Sequence, residues 1–280
     1  MTAWRSTAVV FALVVTACGG GVEESVTTTP VTESGSTAAS PATTAATAAT
    51  TIPPATTTTT PPATSQAATT ITVSAPPLPL PELVTFMTGD GLTLEGTVFG
   101  AGDVAVVLGA MGLEEMETWF SFAETLASAG FTAFAYNMRG HGDSEGGQMP
   151  FHVDTDAQAA IDFVRQRGAQ RVFFFGASVN GAASIAVGAE NDLAGVANLS
   201  GPSEVDGVDA LALAPRVEEP KLFIVAEGDV PIPGMIQEVF DNAPDPKELV
   251  IFSGEAHGTE LFAAHGDAVT ALLLDFARSN

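Results

Sequence analysis

Residues 171–181 read "RVFFFGASVNG", an apolar run that stops abruptly at glycine, alanine and serine. Packing explains a buried strand here, but it does not explain why the strand delivers one hydroxyl to a tight turn between glycines. A nucleophile at Ser178 would explain it. The competing reading is a serine that simply starts a helix, since serine is a good N-cap. The other strand ends of the chain decide between the two.

Outward from that stretch, short apolar runs alternate with helical patterns. "VAVVLG" (104–109) is a continuous apolar strand of the kind buried on both faces. "ETWFSFAETLASAG" (117–130) has helical spacing and ends at Gly130, a natural C′ residue. "FTAFAYN" (131–137) is a strand followed by the polar turn "RGHGDSEGG". "TDAQAAIDFVRQRG" (155–168) is a helix, with Asp154 or Thr155 expected as its cap and Gly168 at its end. Helix "GAASIAVGA", strands "LAGVANLS" and "KLFIVAEG", helix "MIQEVFDNA", strand "ELVIFSG" and helix "ELFAAHGDAVTALLLDFARS" complete the series. Such alternation predicts βαβ units and a mostly parallel, doubly wound sheet. "LVTFMTGDGLTLEGTVF" (83–99) adds an antiparallel hairpin with Gly89-Asp90-Gly91 at its turn.

Ligands of such sheets bind outside the carboxyl ends of the strands. Ser178 follows the strand ending at Phe175, Asp229 the strand ending near Ala226, and His257 the strand 249–252. The turn after 104–108 offers free backbone N–H groups at Ala110, Met111 and Gly112. A serine hydroxyl needs an imidazole to take its proton and a carboxylate to hold that imidazole's tautomer. All three types arrive on one edge of the sheet in the order Ser, Asp, His, the order associated with a nucleophile elbow. Glu227 competes with Asp229 as the acid. Of the other histidines, His141 lies in the "RGHG" turn and reads as structural. His152 precedes a helix and His265 lies within one, so neither sits just after a strand. Asp143 and Asp154 read as turn and cap residues. No metal-ligand spacing or glycine-rich phosphate loop is present, so no cofactor and no metal are expected.

Here the chain resembles the α/β-hydrolases over nearly all of residues 81–280. "AYNMRGHGDS" (135–144) is similar to the family's strand and R-G-x-G-x-S turn, "GASVNG" to its elbow, "AEGDVPIP" to its G-x-x-D-x-x-V-P stretch and "GEAHG" to its histidine loop. The resemblance implies Ser178 as nucleophile, His257 as base and Asp229 as acid, with the amides of Val179 and Met111 as oxyanion donors. Compact size and the "AHGTELF" ending are similar to the dienelactone hydrolase and small esterase branches. Two departures stand out. The elbow usually reads G-x-S-x-G, but position 180 is asparagine and glycine comes one later, at Gly181. The family often has His-Gly in the oxyanion loop, where this chain has "LGAMGLEE" (108–115); backbone donors make side-chain identity there less decisive.

The first 80 residues differ in kind. "MTAWRSTAVVFALVVTACGG" carries Arg5 as its only charge and an apolar stretch, Ala8 to Val15, too short to span a bilayer; it reads as a signal peptide. The ending "VTAC" resembles a bacterial lipobox, which implies lipidation at Cys18, the one cysteine of the chain. An ordinary secretory leader cut near Ala17 is the alternative. With a single thiol, no intramolecular disulfide is possible. Residues 19–80 form a Thr/Ala/Pro-rich tether, with 19 threonines between Val22 and Leu80 and almost nothing to build a core. The expected division is a leader (1–18), a disordered tether (19–80) and one hydrolase domain (81–280), displayed outside the cell membrane.

A net charge of −24 excludes some partners. Only Glu23, Glu24, Glu33 and Arg5 precede residue 81, so nearly all of the excess rests on the domain. Such a surface repels phosphate backbones and anionic headgroups, which leaves Cys18 as the membrane attachment and makes nucleic acid a poor partner. The expected substrate is a small or polymer-linked neutral ester. Lipases and many other α/β-hydrolases insert a helical lid after the sixth strand. Here Gly201 to Pro220, with prolines at 202, 215 and 220, has room for one short helix, so a shallow, wet site and short acyl groups are expected. An acyltransferase or cofactor-free perhydrolase using the same residues, and an inactive surface-binding lipoprotein of the same fold, are the competing functions. The loop "EGGQMPFHVD" (145–154) is the segment that could reshape the pocket.

Overall fold

The computed structural model of the chain describes residues 78–280; the leader, Cys18 and the tether up to residue 77 lie outside the described residues. The expected hairpin forms, β1 (Glu82–Met87) running antiparallel to β2 (Thr93–Phe99). In its turn Gly91 takes a φ of +92°, which a Cβ would strain. Alternation follows: β3 (Val104–Gly109), α1 (Phe120–Ser128), β4 (Thr132–Tyr136), α2 (Val153–Gln166), β5 (Arg171–Ala177), α3 (Val179–Glu190) and β6 (Gly195–Leu199). A miniature hairpin, β7 (Glu204–Val205) and β8 (Val208–Asp209), and the short α4 (Ala210–Leu213) come next. The chain closes with β9 (Lys221–Ala226), α5 (Ile232–Asn242), β10 (Lys247–Phe252) and α6 (Glu260–Ser279).

Eight strands form one sheet in the order β1-β2-β4-β3-β5-β6-β9-β10. β2 pairs antiparallel with both β1 and β4; the six strands from β4 onward in that order are mutually parallel. Central position explains the three phenylalanines of β5. Phe173 and Phe175 enter one apolar layer with Trp119, Phe122 and Leu273, while Phe174 enters the opposite layer with Phe134 and Tyr136. All three are fully buried. At roughly 1.5–3 kcal/mol per buried aromatic, they fix both the depth and the face of the strand that ends at Ser178.

Some local expectations change. Helix α2 starts at Val153 with His152 at the N-cap position, so Asp154 and Thr155 lie inside the first turn and cap nothing. The reason is the approach to the helix. The Phe151 N–H donates to Asp206 Oδ2 in the β7–β8 turn, and Asp156 is buried against Arg139, which fixes the start earlier. The Asp154 carboxylate accepts instead from the N–H of Thr155. A 3-10 turn, Met116–Trp119, precedes α1, and α6 kinks at Gly266. Gly130 and Gly168 end their helices with φ near +93° and +102°, as their positions predict. Between β6 and β9, the segment 201–220 holds the miniature hairpin, α4 and a 3-10 turn, Ala214–Arg216, with no multi-helix cap.

Candidate active site

Ser178 sits where β5 gives way to α3, with φ 54° and ψ −120°. A non-glycine residue in that region is strained by about 1–3 kcal/mol and persists only where its surroundings hold it. The two glycines show how. A Cβ at Gly176 would run into the carbonyl of Asn180, and one at Gly181 would come 2.7 Å from the Gly201 Cα. Gly176 therefore lets the first turn of α3 lie against β5, and Gly181 lets it pass the end of β6. Position 180 tolerates a side chain because β3 ends in Gly109, whose absent Cβ would lie 2.6 Å from the Asn180 carboxamide carbon.

The structure brings Ser178, His257 and Asp229 together from three loops. His257 Nε2 lies 2.8 Å from Ser178 Oγ, and His257 Nδ1 lies 2.8 Å from Asp229 Oδ2. A carboxylate can only accept, so the imidazole N–H belongs on Nδ1, and Nε2 is left to accept the serine proton. The histidine loop is held by its neighbour Glu260, whose carboxylate accepts from the His257 N–H while its own N–H donates to the His257 carbonyl. The His257 side chain is 31% exposed and that of Asp229 12%. Glu227, the alternative acid, is exposed, with its N–H paired to the Phe252 carbonyl. His152 stands at the start of α2, and His265 lies in α6 with its ring against Phe252.

Val179 opens α3, so its N–H is one of the first-turn donors with no intrahelical acceptor. The Met111 N–H has no protein acceptor among the described residues. The Met111 thioether packs on Gly258, the residue after His257, which joins the loop after β3 to the histidine loop. A second tie runs from the Thr259 hydroxyl to Glu114 Oε2 at 2.9 Å. The 145–154 loop does reach this neighbourhood: the space in front of Gly112 is filled by the Phe151 ring and a Val179 methyl.

His141, expected to be structural, is buried in the turn after β4, its ring nitrogens 2.9 Å from the Gly112 carbonyl and 3.1 Å from the Arg139 carbonyl. Arg139 anchors this turn through Asp156 and Asp90, at 2.7 and 2.9 Å. Its guanidinium holds the Asp90 carboxyl down to about 2. Sequence reading missed this ion-pair node; the arginine of "RGHG" was its one visible sign. Among the described residues, no group of three or more His, Cys, Asp or Glu side chains is placed to hold a metal.

The sheet order, with a hydroxyl at a strained strand–helix turn hydrogen-bonded to an imidazole that meets a carboxylate, gives the class: the described domain has the α/β-hydrolase fold. Residues 103–203 match the family model described as serine aminopeptidase, S33. Among solved structures, the Pyrococcus furiosus esterase Pf2001 superposes with a TM-score of 0.63 at 16% identity, over 71% of this chain and 91% of its own. Dienelactone hydrolase from Anabaena variabilis gives 0.61 at 19% identity, over 72% and 98%. An uncharacterized Escherichia coli protein, YfhR, is 26% identical over 231 residues, covering 71% of this chain and 81% of the relative.

Proposed function

We propose that this chain is a serine hydrolase of small or short-acyl carboxylic esters, anchored outside the cell membrane by a lipid on Cys18. The observation that carries the chemistry is the unbroken relay from Ser178 Oγ through His257 to Asp229 at 2.8 Å for each bond. In this reading Ser178 Oγ attacks the ester carbonyl while His257 Nε2 takes its proton. Asp229 stabilises the imidazolium, and the N–H groups of Val179 and Met111 hold the oxyanion. Collapse expels the alcohol, which leaves with the proton from His257. Water then attacks the acyl-enzyme by the same steps, releasing the acid and restoring Ser178.

Support for short acyl groups comes from the roof. The 201–220 segment supplies no lid helix longer than the four residues of α4, and His257 stays partly open to solvent. Support for esters rather than peptides comes from fold analogy with the esterase and dienelactone hydrolase just described. The family description names an aminopeptidase, so amide cleavage is the reading to test beside it.

The test begins with a fluorophosphonate probe: the purified protein is labelled and Ser178→Ala is not. Labelling of both would remove Ser178 from the role. Nitrophenyl esters from acetate to palmitate then rank chain length, with an aminoacyl nitroanilide as the amide control. Turnover falling with length supports the short-acyl site; turnover rising toward palmitate points to a lipase, and faster anilide cleavage to a peptidase. For the anchor, cells fed labelled palmitate should label the wild-type chain and not Cys18→Ser.

A further inference from the structure

Two buried side chains meet the loop after β3, and they bracket Met111. From the elbow, Asn180 Nδ2 donates to the Ala110 carbonyl at 2.7 Å. From the turn after β4, His141 Nε2 stands 2.9 Å from the Gly112 carbonyl. The Ala110 carbonyl and the Met111 N–H belong to one planar peptide unit, in which C=O and N–H point in opposite directions. Holding the carbonyl from behind therefore aims the N–H forward. The Gly112 carbonyl, two peptide units further, is held as well, so the segment is restrained on both sides of Met111.

We propose that Asn180 and His141 are positioning residues that aim the Met111 N–H at the oxyanion, an inference that rests on the acyl-transfer reading above. The orientation of the Asn180 amide is fixed by chemistry. The Ala110 carbonyl can only accept, so it must face Nδ2, which leaves Oδ1 for the Tyr136 hydroxyl at 2.8 Å. Full burial pushes the Tyr136 phenol well above its ordinary range, so that hydroxyl stays a donor. Asn180 is itself fully buried. The same amide explains why the departure at position 180 goes with a departure in the loop. Gly109 leaves the room that the Asn180 side chain occupies, so "LGAMG" and "SVNG" fit as a pair. A glycine at 180, the commoner elbow residue, would leave the Ala110 carbonyl without this donor.

The experiment compares Asn180→Gly, Asn180→Leu, Tyr136→Phe, His141→Leu and His141→Gln with wild type. Measurements are kcat and KM on nitrophenyl acetate, thermal melting, and inhibition by a trifluoromethyl ketone that mimics the tetrahedral adduct. Outright loss of an oxyanion donor costs about 10²–10³-fold in kcat, so misaiming one should cost roughly 10–100-fold. Asn180→Gly and Asn180→Leu should show that loss with KM within about threefold, because the bond acts on the transition state. Ketone affinity should fall by the same factor as kcat/KM. Tyr136→Phe should lose less, and His141→Gln, which keeps a donor, should retain more activity than His141→Leu.

Folded Asn180→Gly with wild-type kcat would overturn the proposal. So would kcat losses that follow the melting temperature while ketone affinity stays unchanged, since that is a structural role only. A wild-type protein that reacts with no fluorophosphonate would sink the hydrolase reading and this inference with it. Intact labelling and turnover in the Asn180 variants would sink this inference alone.

Discussion

Two serines occupy nearly the same backbone situation, one strand apart. Ser178 follows β5 with φ 54°, and Ser200 follows β6 with φ 55°; they are the non-glycine residues of positive φ among the described residues. Each N–H bonds the next strand over, Ser178 to the Leu199 carbonyl and Ser200 to the Ile224 carbonyl. Beyond that they part. Ser178 is half-buried and its hydroxyl meets His257, whereas Ser200 is fully buried and its hydroxyl finds no partner among the described residues. Strain at a strand end is therefore a consequence of the sheet's geometry, shared by both. What distinguishes the candidate nucleophile is an imidazole on the neighbouring loop and a path to solvent.

The largest expected effect breaks the pair apart. Ser178→Ala and His257→Ala should each lower kcat on a reactive ester by roughly 10⁴–10⁶-fold, because the relay works as a unit. Ser200→Ala should leave kcat within about twofold. Equal losses at 178 and 200 would mean that the hydroxyl facing His257 is not what sets Ser178 apart. Next in size is Asp229→Asn, which leaves Nδ1 facing an amide and should cost up to about 10⁴-fold in kcat, less than either Ser178→Ala or His257→Ala. Glu227→Gln should cost nothing measurable. The reverse pattern in steady-state kinetics would move the acid to Glu227.

The contrast also marks what a sequence can carry. The unbroken apolar run at 172–177 and the strand–helix alternation were legible, because burial on both faces removes every polar position from a strand. The three residues of the relay were legible for a related reason: strand ends are few, and Ser178, Asp229 and His257 each lie in the connection that follows one. Asn180 could be seen only as a departure, because its meaning depends on Gly109, 71 positions earlier, lacking a Cβ. The Arg139–Asp156 pair, which holds the turn after β4, showed only as the arginine of "RGHG", since nothing local links that turn to Asp156, 17 positions later. The start of α2 was misread for the same cause: a loop–hairpin bond from Phe151 to Asp206, invisible locally, outranked the capping preference of Asp154.

The smallest expected effect is on stability, and it separates the strain the two serines share from the hydroxyl contacts they do not. Glycine at either position removes the Cβ that makes positive φ costly, a relief of about 1–3 kcal/mol, offset by about 0.5–1 kcal/mol of added chain entropy. Ser178→Gly also gives up the bond to His257, while Ser200→Gly gives up a buried hydroxyl that has no partner among the described residues. Removing an unsatisfied buried hydroxyl is itself favourable. Ser200→Gly should therefore raise the melting temperature by about 2–4 °C for a domain of this size, with full activity kept. Ser178→Gly should gain less and lose all turnover. Ser200→Ala isolates the hydroxyl, because it keeps the Cβ and its strain; a small gain is expected. If calorimetry shows Ser200→Ala destabilised by more than about 1 kcal/mol, the hydroxyl has a partner in solution. Asn198 Nδ2, buried two residues away and likewise without a partner among the described residues, is where a bridging water would bind.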